Sequence, residues 1–147
     1  MNHHIRIKSL TDLTNDEIDV LRNMNMGARG QMKTRFLELL ALGQGWAVIH
    51  YDSDEGFING WALMFRDQFK MHQADPGQIC IYMFVPSRWR RMGIGSAVME
   101  AGRLIDPTPF AIPWDKTSSI FYTKQTDFKV SYYNQWVPYN KTDAIRI

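Results

Sequence analysis

The chain is short of several things, and each shortage removes a class of protein. Of its 147 residues only Cys80 is a cysteine, so no internal disulfide can form and a reducing compartment such as the cytoplasm fits. No apolar run approaches the roughly 20 residues that a membrane span needs. The opening "MNHHIRIKSL" lacks the apolar core of a signal peptide, and His3 and His4 read as exposed residues rather than metal ligands. An excess of one charge is missing too. Seventeen Lys and Arg stand against fifteen Asp and Glu, a net +2, which argues against a nucleic-acid partner because such a partner asks for a clustered basic face. No repeat, linker or low-complexity stretch divides the chain, so residues 1–147 read as one domain.

What is present is enough for a core. Apolar residues make up 45% and aromatics 13% of the chain, which excludes a disordered protein. "HIRIKSL" alternates as a first strand from Ile5 to Leu10. Thr14 and Glu17 form a T-x-x-E capping box ahead of a helix carrying Ile18, Leu21 and Met24. Met32, Phe36, Leu39 and Leu40 predict a second helix, and "WAVIHY" and "FINGWALMF" predict an antiparallel hairpin around "DSDEG". "QICIYMFV" is apolar throughout most of its length, as a central strand buried on both faces would be. Ile94, Ala97, Val98, Ala101 and Leu104 stripe a helix running from Gly93 to about Ile105. "FAIPW", "TSSIFYTKQ", "FKVSYYNQW" and "DAIRI" then read as strand, helix, strand and strand. The expected order is β, α, α, β, β, β, α, β, α, β, β.

The chemistry concentrates in "VPSRWRRMGIGSAVME", Val85 to Glu100. A strand running straight into a helix presents the helix's free amides and its positive dipole end, which suits an anion. Gly93 and Gly95 leave room for phosphate oxygens to approach the backbone, and Arg90 and Arg91 add charge-assisted donors. The ATP-binding pattern G-x-x-x-x-G-K-[ST] is absent. So is the dinucleotide fingerprint, because Val98 stands where its third glycine belongs.

Arg90-Arg91-Met92-Gly93-Ile94-Gly95 matches R-x-x-G-x-G and resembles the acetyl-CoA pyrophosphate loop of the GNAT superfamily of N-acetyltransferases. Val85 precedes it at the family's usual spacing, Trp89 takes the frequent aromatic position, and Ser87 replaces a common proline. Taken alone, the motif fits an Arg-rich surface turn equally well. "DKTSSIFYTKQTDF" breaks that tie: it is similar to the family's N-x-x-A-x-x-F-Y-x-K-x-G-F, through Phe121, Tyr122, Lys124 and Phe128. Asp115, Ser118 and Asp127 depart from it.

The resemblance implies an α+β fold of α/β three-layer type: a mixed central sheet of about six to seven strands with about four helices. It implies acetyl-CoA as co-substrate, no metal, and transfer of the acetyl group to a primary amine. It assigns the cofactor to Phe84, Val85, Arg90, Arg91, Met92, Gly93, Ile94, Gly95, Ser96 and Asp115. Phe84 and Val85 act through backbone groups near the pantetheine and the oxyanion. Tyr122 becomes the general acid toward the departing thiolate, since a phenol stays protonated near neutral pH.

No carboxylate lies in "QICIYMFV", so the base stays open among Tyr82, Asp115, His72 and a water chain. Cys80 reads as a buried, inert thiol, and Trp46, Trp61, Trp89 and Trp114 read as packing before they read as an acceptor site. The acceptor is a protein lysine, an N-terminus or a small-molecule amine. The tip residues Asp52, Asp54 and Glu55 offer a cationic acceptor some attraction, although a solvated turn explains them as well. A homodimer is compatible with the family resemblance. A module of this fold that binds acyl-CoA or a protein without turnover is the alternative reading.

Overall fold

A computed structural model describes residues 3–24, 41, 43–53, 56–66, 79–107, 109–111, 121, 124 and 145–146. They form β1 (His4–Ser9), α1 (Asn15–Met24), β2 (Trp46–Tyr51), β3 (Ile58–Arg66), β4 (Ile79–Phe84), α2 (Ile94–Gly102), β5 (Phe110–Ala111) and β6 (Ile145–Arg146). The six strands make one sheet in chain order. β1 to β4 pair antiparallel, β4 pairs with β5 in parallel, and β5 with β6 antiparallel. A parallel pair needs a crossover, and α2 supplies it between β4 and β5. The mixed sheet expected from the resemblance is therefore present. The second helix through Met32 and Leu40, the strand through "FKVSYYNQW" and most of "TSSIFYTKQ" lie outside the described residues.

Strand alternation sorts the core into two layers. Ala47, Ile49, Tyr51, Trp61, Leu63 and Phe65 pack with Leu10, Leu13 and Leu21 on the α1 side. Val48, Ala62, Met64, Ile79 and Ile81 pack with Ile94, Val98 and Met99 on the α2 side. A sheet buried on both faces explains why the central strands read as apolar runs. α2 sits close on β3, since a β-carbon at Gly60 would stand 2.7 Å from Ile94 Cγ2.

The capping box forms as its spacing predicts. Thr14 N–H donates to Glu17 Oε1 at 2.9 Å, and Glu17 N–H donates to Thr14 Oγ1 at 3.1 Å. Glu17 also accepts from Lys8 Nζ at 2.9 Å and from the Tyr51 hydroxyl at 3.1 Å, tying α1 to β1 and β2. Burial opposes ionisation of Glu17, but the Thr14 amide, the Lys8 ammonium and the Tyr51 hydroxyl together hold its carboxyl below the ordinary 4.5.

Two expectations shift. β1 begins one residue earlier and ends at Ser9, because Leu10 opens a short 3₁₀ turn that buries its side chain. Leu104 does not anchor α2 and is 82% exposed. The helix closes at Gly102 and the chain continues in i→i−3 bonds, from Leu104 N–H to Ala101 O and from Ile105 N–H to Gly102 O. That tighter winding turns Leu104 away from the sheet, and Met99 and Gly102 complete the buried stripe instead.

Candidate functional site

The segment between β4 and α2 is built as a folded-back loop. Pro86 O accepts from Trp89 N–H at 2.9 Å, closing a 3₁₀ turn over Ser87–Trp89. Arg90 Nε donates to Val85 O at 3.0 Å, so one of the five guanidinium donors pins the loop to the end of β4. Arg91 then takes φ 65° and Gly93 φ 78°, both in the left-handed region. Left-handed residues alternating with right-handed ones turn successive amides toward one side, a backbone arrangement that suits an anion. Gly93 is the N-cap of α2, its carbonyl accepts from Ala97 N–H at 3.0 Å, and no side chain caps this end. Helix geometry gives the amides of Ile94 and Gly95 no acceptor within α2.

The expected cofactor residues fall into distinct roles. Phe84 closes β4, half-buried, with its ring 6.1 Å from that of Trp61. Val85 is half-buried, and its side chain packs among the residues under α2. Arg90, Arg91, Met92, Gly93 and Ser96 are exposed along the loop and first turn. Ile94 is buried to 1% exposure, its side chain packing in the core under α2. Gly95 is needed for packing: a β-carbon there would stand 3.0 Å from Phe121 Cε1 and 3.6 Å from Met83 Sδ. That contact joins the two motifs on which the resemblance rested. Tyr122 and Asp115 lie outside the described residues, as do His72, Trp114, Asp54 and Glu55.

Other expectations meet the structure directly. Trp61 is fully buried and belongs to the core. Burial pushes the Tyr82 phenol up, which favours its protonated form. Tyr82 meets Trp61 edge-on, with ring centroids 5.7 Å apart. Among the described residues no cluster of three His, Cys, Asp or Glu is arranged to hold a metal, and no helix is long and apolar enough to cross a membrane.

One polar group was not read from the strands. His50 and Asn59 are both buried to 1% exposure and hydrogen-bonded to each other, and His3 meets His50 at 2.9 Å. Their signal was a histidine and an asparagine inside otherwise apolar runs, "WAVIHY" and "FINGWALMF". Their pairing needs a bulge: His50 opposes Gly60 and Tyr51 opposes Ile58, which leaves Asn59 as the extra residue.

No protein-family profile and no curated protein matches the chain. Solved structures do. An acyl-CoA N-acyltransferase from Pseudomonas aeruginosa is 14% identical with a TM-score of 0.66, over 93% of this chain and 95% of that one. A GCN5-related N-acetyltransferase from Ralstonia eutropha JMP134 is 14% identical at TM-score 0.57, over 90% and 97%. A Salmonella typhimurium protein solved with its cofactor acetyl-CoA is 15% identical at TM-score 0.53, over 88% and 80%. At such identities the likeness lies in the backbone. The mixed sheet, the α2 crossover and the folded-back loop between them give this chain the fold of the GNAT N-acetyltransferases.

Proposed function

We propose that residues 1–147 form a single N-acetyltransferase domain that moves an acetyl group from acetyl-CoA to a primary amine by direct attack in a ternary complex. The observation that carries this reading is the uncapped start of α2, reached through left-handed Arg91 and Gly93 and braced by Arg90 on Val85. A diphosphate on that seat meets backbone amides, the helix dipole and guanidinium charge together.

Each residue then has a task. The loop of Arg90, Arg91, Met92, Gly93, Ile94, Gly95 and Ser96 holds the pyrophosphate. Phe84 and Val85 present backbone groups to the pantetheine and to the oxyanion. Asp115 adds a contact to the cofactor. As the amine nitrogen bonds to the acetyl carbon and the C–S bond breaks, the amine loses a proton to water and Tyr122 gives one to the departing thiolate. The single Cys80 supports a cytoplasmic setting.

The test is thiol release from acetyl-CoA across peptides, polyamines and amino sugars. Release with one acceptor class supports the enzyme. A raised melting temperature with acetyl-CoA, but no thiol from any amine, would make the protein a binding module. Tyr122→Phe is expected to slow turnover about 100-fold, the lower end of what a general acid contributes, with acetyl-CoA affinity unchanged. Equal turnover removes Tyr122 from the mechanism.

A further inference from the structure

The imidazoles of His3 and His50 lie outside every role assigned above, yet they reach the loop. His50 is on the α2-facing side of β2, beside Gly60, whose β-carbon position is 3.8 Å from His50 Cβ. Its Nδ1 meets Asn59 Oδ1; with the carboxamide in this orientation its oxygen accepts and Nδ1 carries the hydrogen, while Asn59 Nδ2 is buried with no partner among the described residues. Burial holds the His50 imidazole below its ordinary 6.5, with the charges of His3 and His4 acting in the same direction. His50 is therefore neutral near pH 7 and its Nε2 is a bare acceptor. It takes the hydrogen of His3 Nδ1, 2.9 Å away. Two buried residues thus orient an exposed one, and the nitrogen of His3 that faces away from the pair is Nε2.

That nitrogen is at the loop. His3 Nε2 and Cε1 each stand 3.7 Å from the position a β-carbon would take on Gly93, the N-cap of α2. The charged and titratable groups on the elements around the pair are His4, Arg6 and Lys8 on β1, Tyr51 on β2, Arg88, Arg90 and Arg91 on the loop, and Glu100 on α2. β3 brings the neutral Asn59 at this end. A diphosphate seated on the loop would meet the guanidinium charges of Arg90 and Arg91 and the His3 ring together.

We propose that His3 is a further cofactor-binding residue: when the phosphates of CoA settle on the Gly93 loop, His3 Nε2 takes one proton from solvent and donates it to a phosphate oxygen. His50 and Asn59 are positioning residues that hold the ring. The inference rests on reading the loop as an acetyl-CoA site, and it adds a proton to the binding equilibrium.

Calorimetric titration of CoA in buffers of different ionisation enthalpy, from pH 6 to 8.5, reads the proton directly. The wild-type protein is expected to take up as much as one proton, and affinity should weaken up to about tenfold per pH unit above the imidazole range. His3→Gln keeps a partner for His50 but has no titrating nitrogen. It should bind CoA more weakly at pH 6, and above about pH 7, where the CoA phosphates are already fully ionised, it should show neither proton uptake nor pH slope. Pantetheine, which has no phosphate, should bind without proton uptake to either form. A His3→Gln protein with wild-type uptake and slope overturns the inference and leaves the loop assignment standing. Wild-type protein that binds no CoA at any pH overturns the loop assignment itself.

Discussion

Arg91 shows how a single residue departs from what its sequence neighbours suggest. Its φ of 65° costs a side-chain-bearing residue roughly 1–2 kcal/mol, and nothing in "RRMGIG" marks it, because arginine has no turn preference of its own. Reading Gly93 and Gly95 as equivalent hid a second distinction: Gly93 is required by its backbone angle, Gly95 by a neighbour's ring. Under the proposed function, the strain at Arg91 is retained because a guanidinium there would serve the bound diphosphate. Arg91→Gly should therefore raise stability by about 0.5–1 kcal/mol in denaturant unfolding while weakening CoA binding. Arg91→Val should lower stability by about 1–2 kcal/mol, since a branched side chain tolerates the angle worst. A stabilised Arg91→Val would contradict the assigned backbone.

Among elements, α2 carries the coupling between the two motif segments. A methyl at Gly95 would press on the Phe121 ring at 3.0 and 3.2 Å, and Tyr122 follows Phe121 in the chain. Gly95→Ala should cost about 1–2 kcal/mol of stability as an overpacked contact and should slow acetyl transfer by shifting Tyr122. Phe121→Leu in that background should recover part of both, with a coupling energy above about 0.5 kcal/mol in a double-mutant cycle. Strictly additive effects would mean that the contact carries no coupling. The same scale shows what the sequence discloses. The T-x-x-E box and the β2–β3 hairpin were legible because their signals are local. So was the α2 start, because Gly93 and Gly95 stand at the head of the apolar stripe. The end of α2 was not legible: the apolar stripe continues to Leu104, but the change to i→i−3 bonds after Gly102 turns that residue into solvent. Nor was the His50–Asn59 pair, which depends on a bulge that no spacing of apolar residues encodes.

At the scale of the whole molecule, α1 and α2 lie on opposite faces of the sheet, and among the described residues each side carries an acid-titrating group that folding shifts: half-buried Glu17 and buried His50. Glu17 ties α1 to β1 and β2, and its carboxyl sits below the ordinary 4.5. His50 lies under the α2 side, and its imidazole sits below the ordinary 6.5. Both pKa values are depressed by folding, so the unfolded chain binds protons more readily at each group. Stability from both is complete above pH 6.5 and is lost on acidification. The loss should come in two stages. His50 contributes first, as pH falls below about 6.5, with a slope of at most about 1.4 kcal/mol per pH unit for one proton. Glu17 contributes below about 4.5. Unfolding free energy measured from pH 8 to 3.5 should bend twice. His50→Gln should cost about 1–2 kcal/mol at pH 7 through its weakened buried bonds, yet it should run flat from pH 7 to 5.5 and keep the Glu17 stage. If His50→Gln retained the first bend, the group responsible would not be His50, and the face under α2 would not be the acid-sensitive half of the molecule.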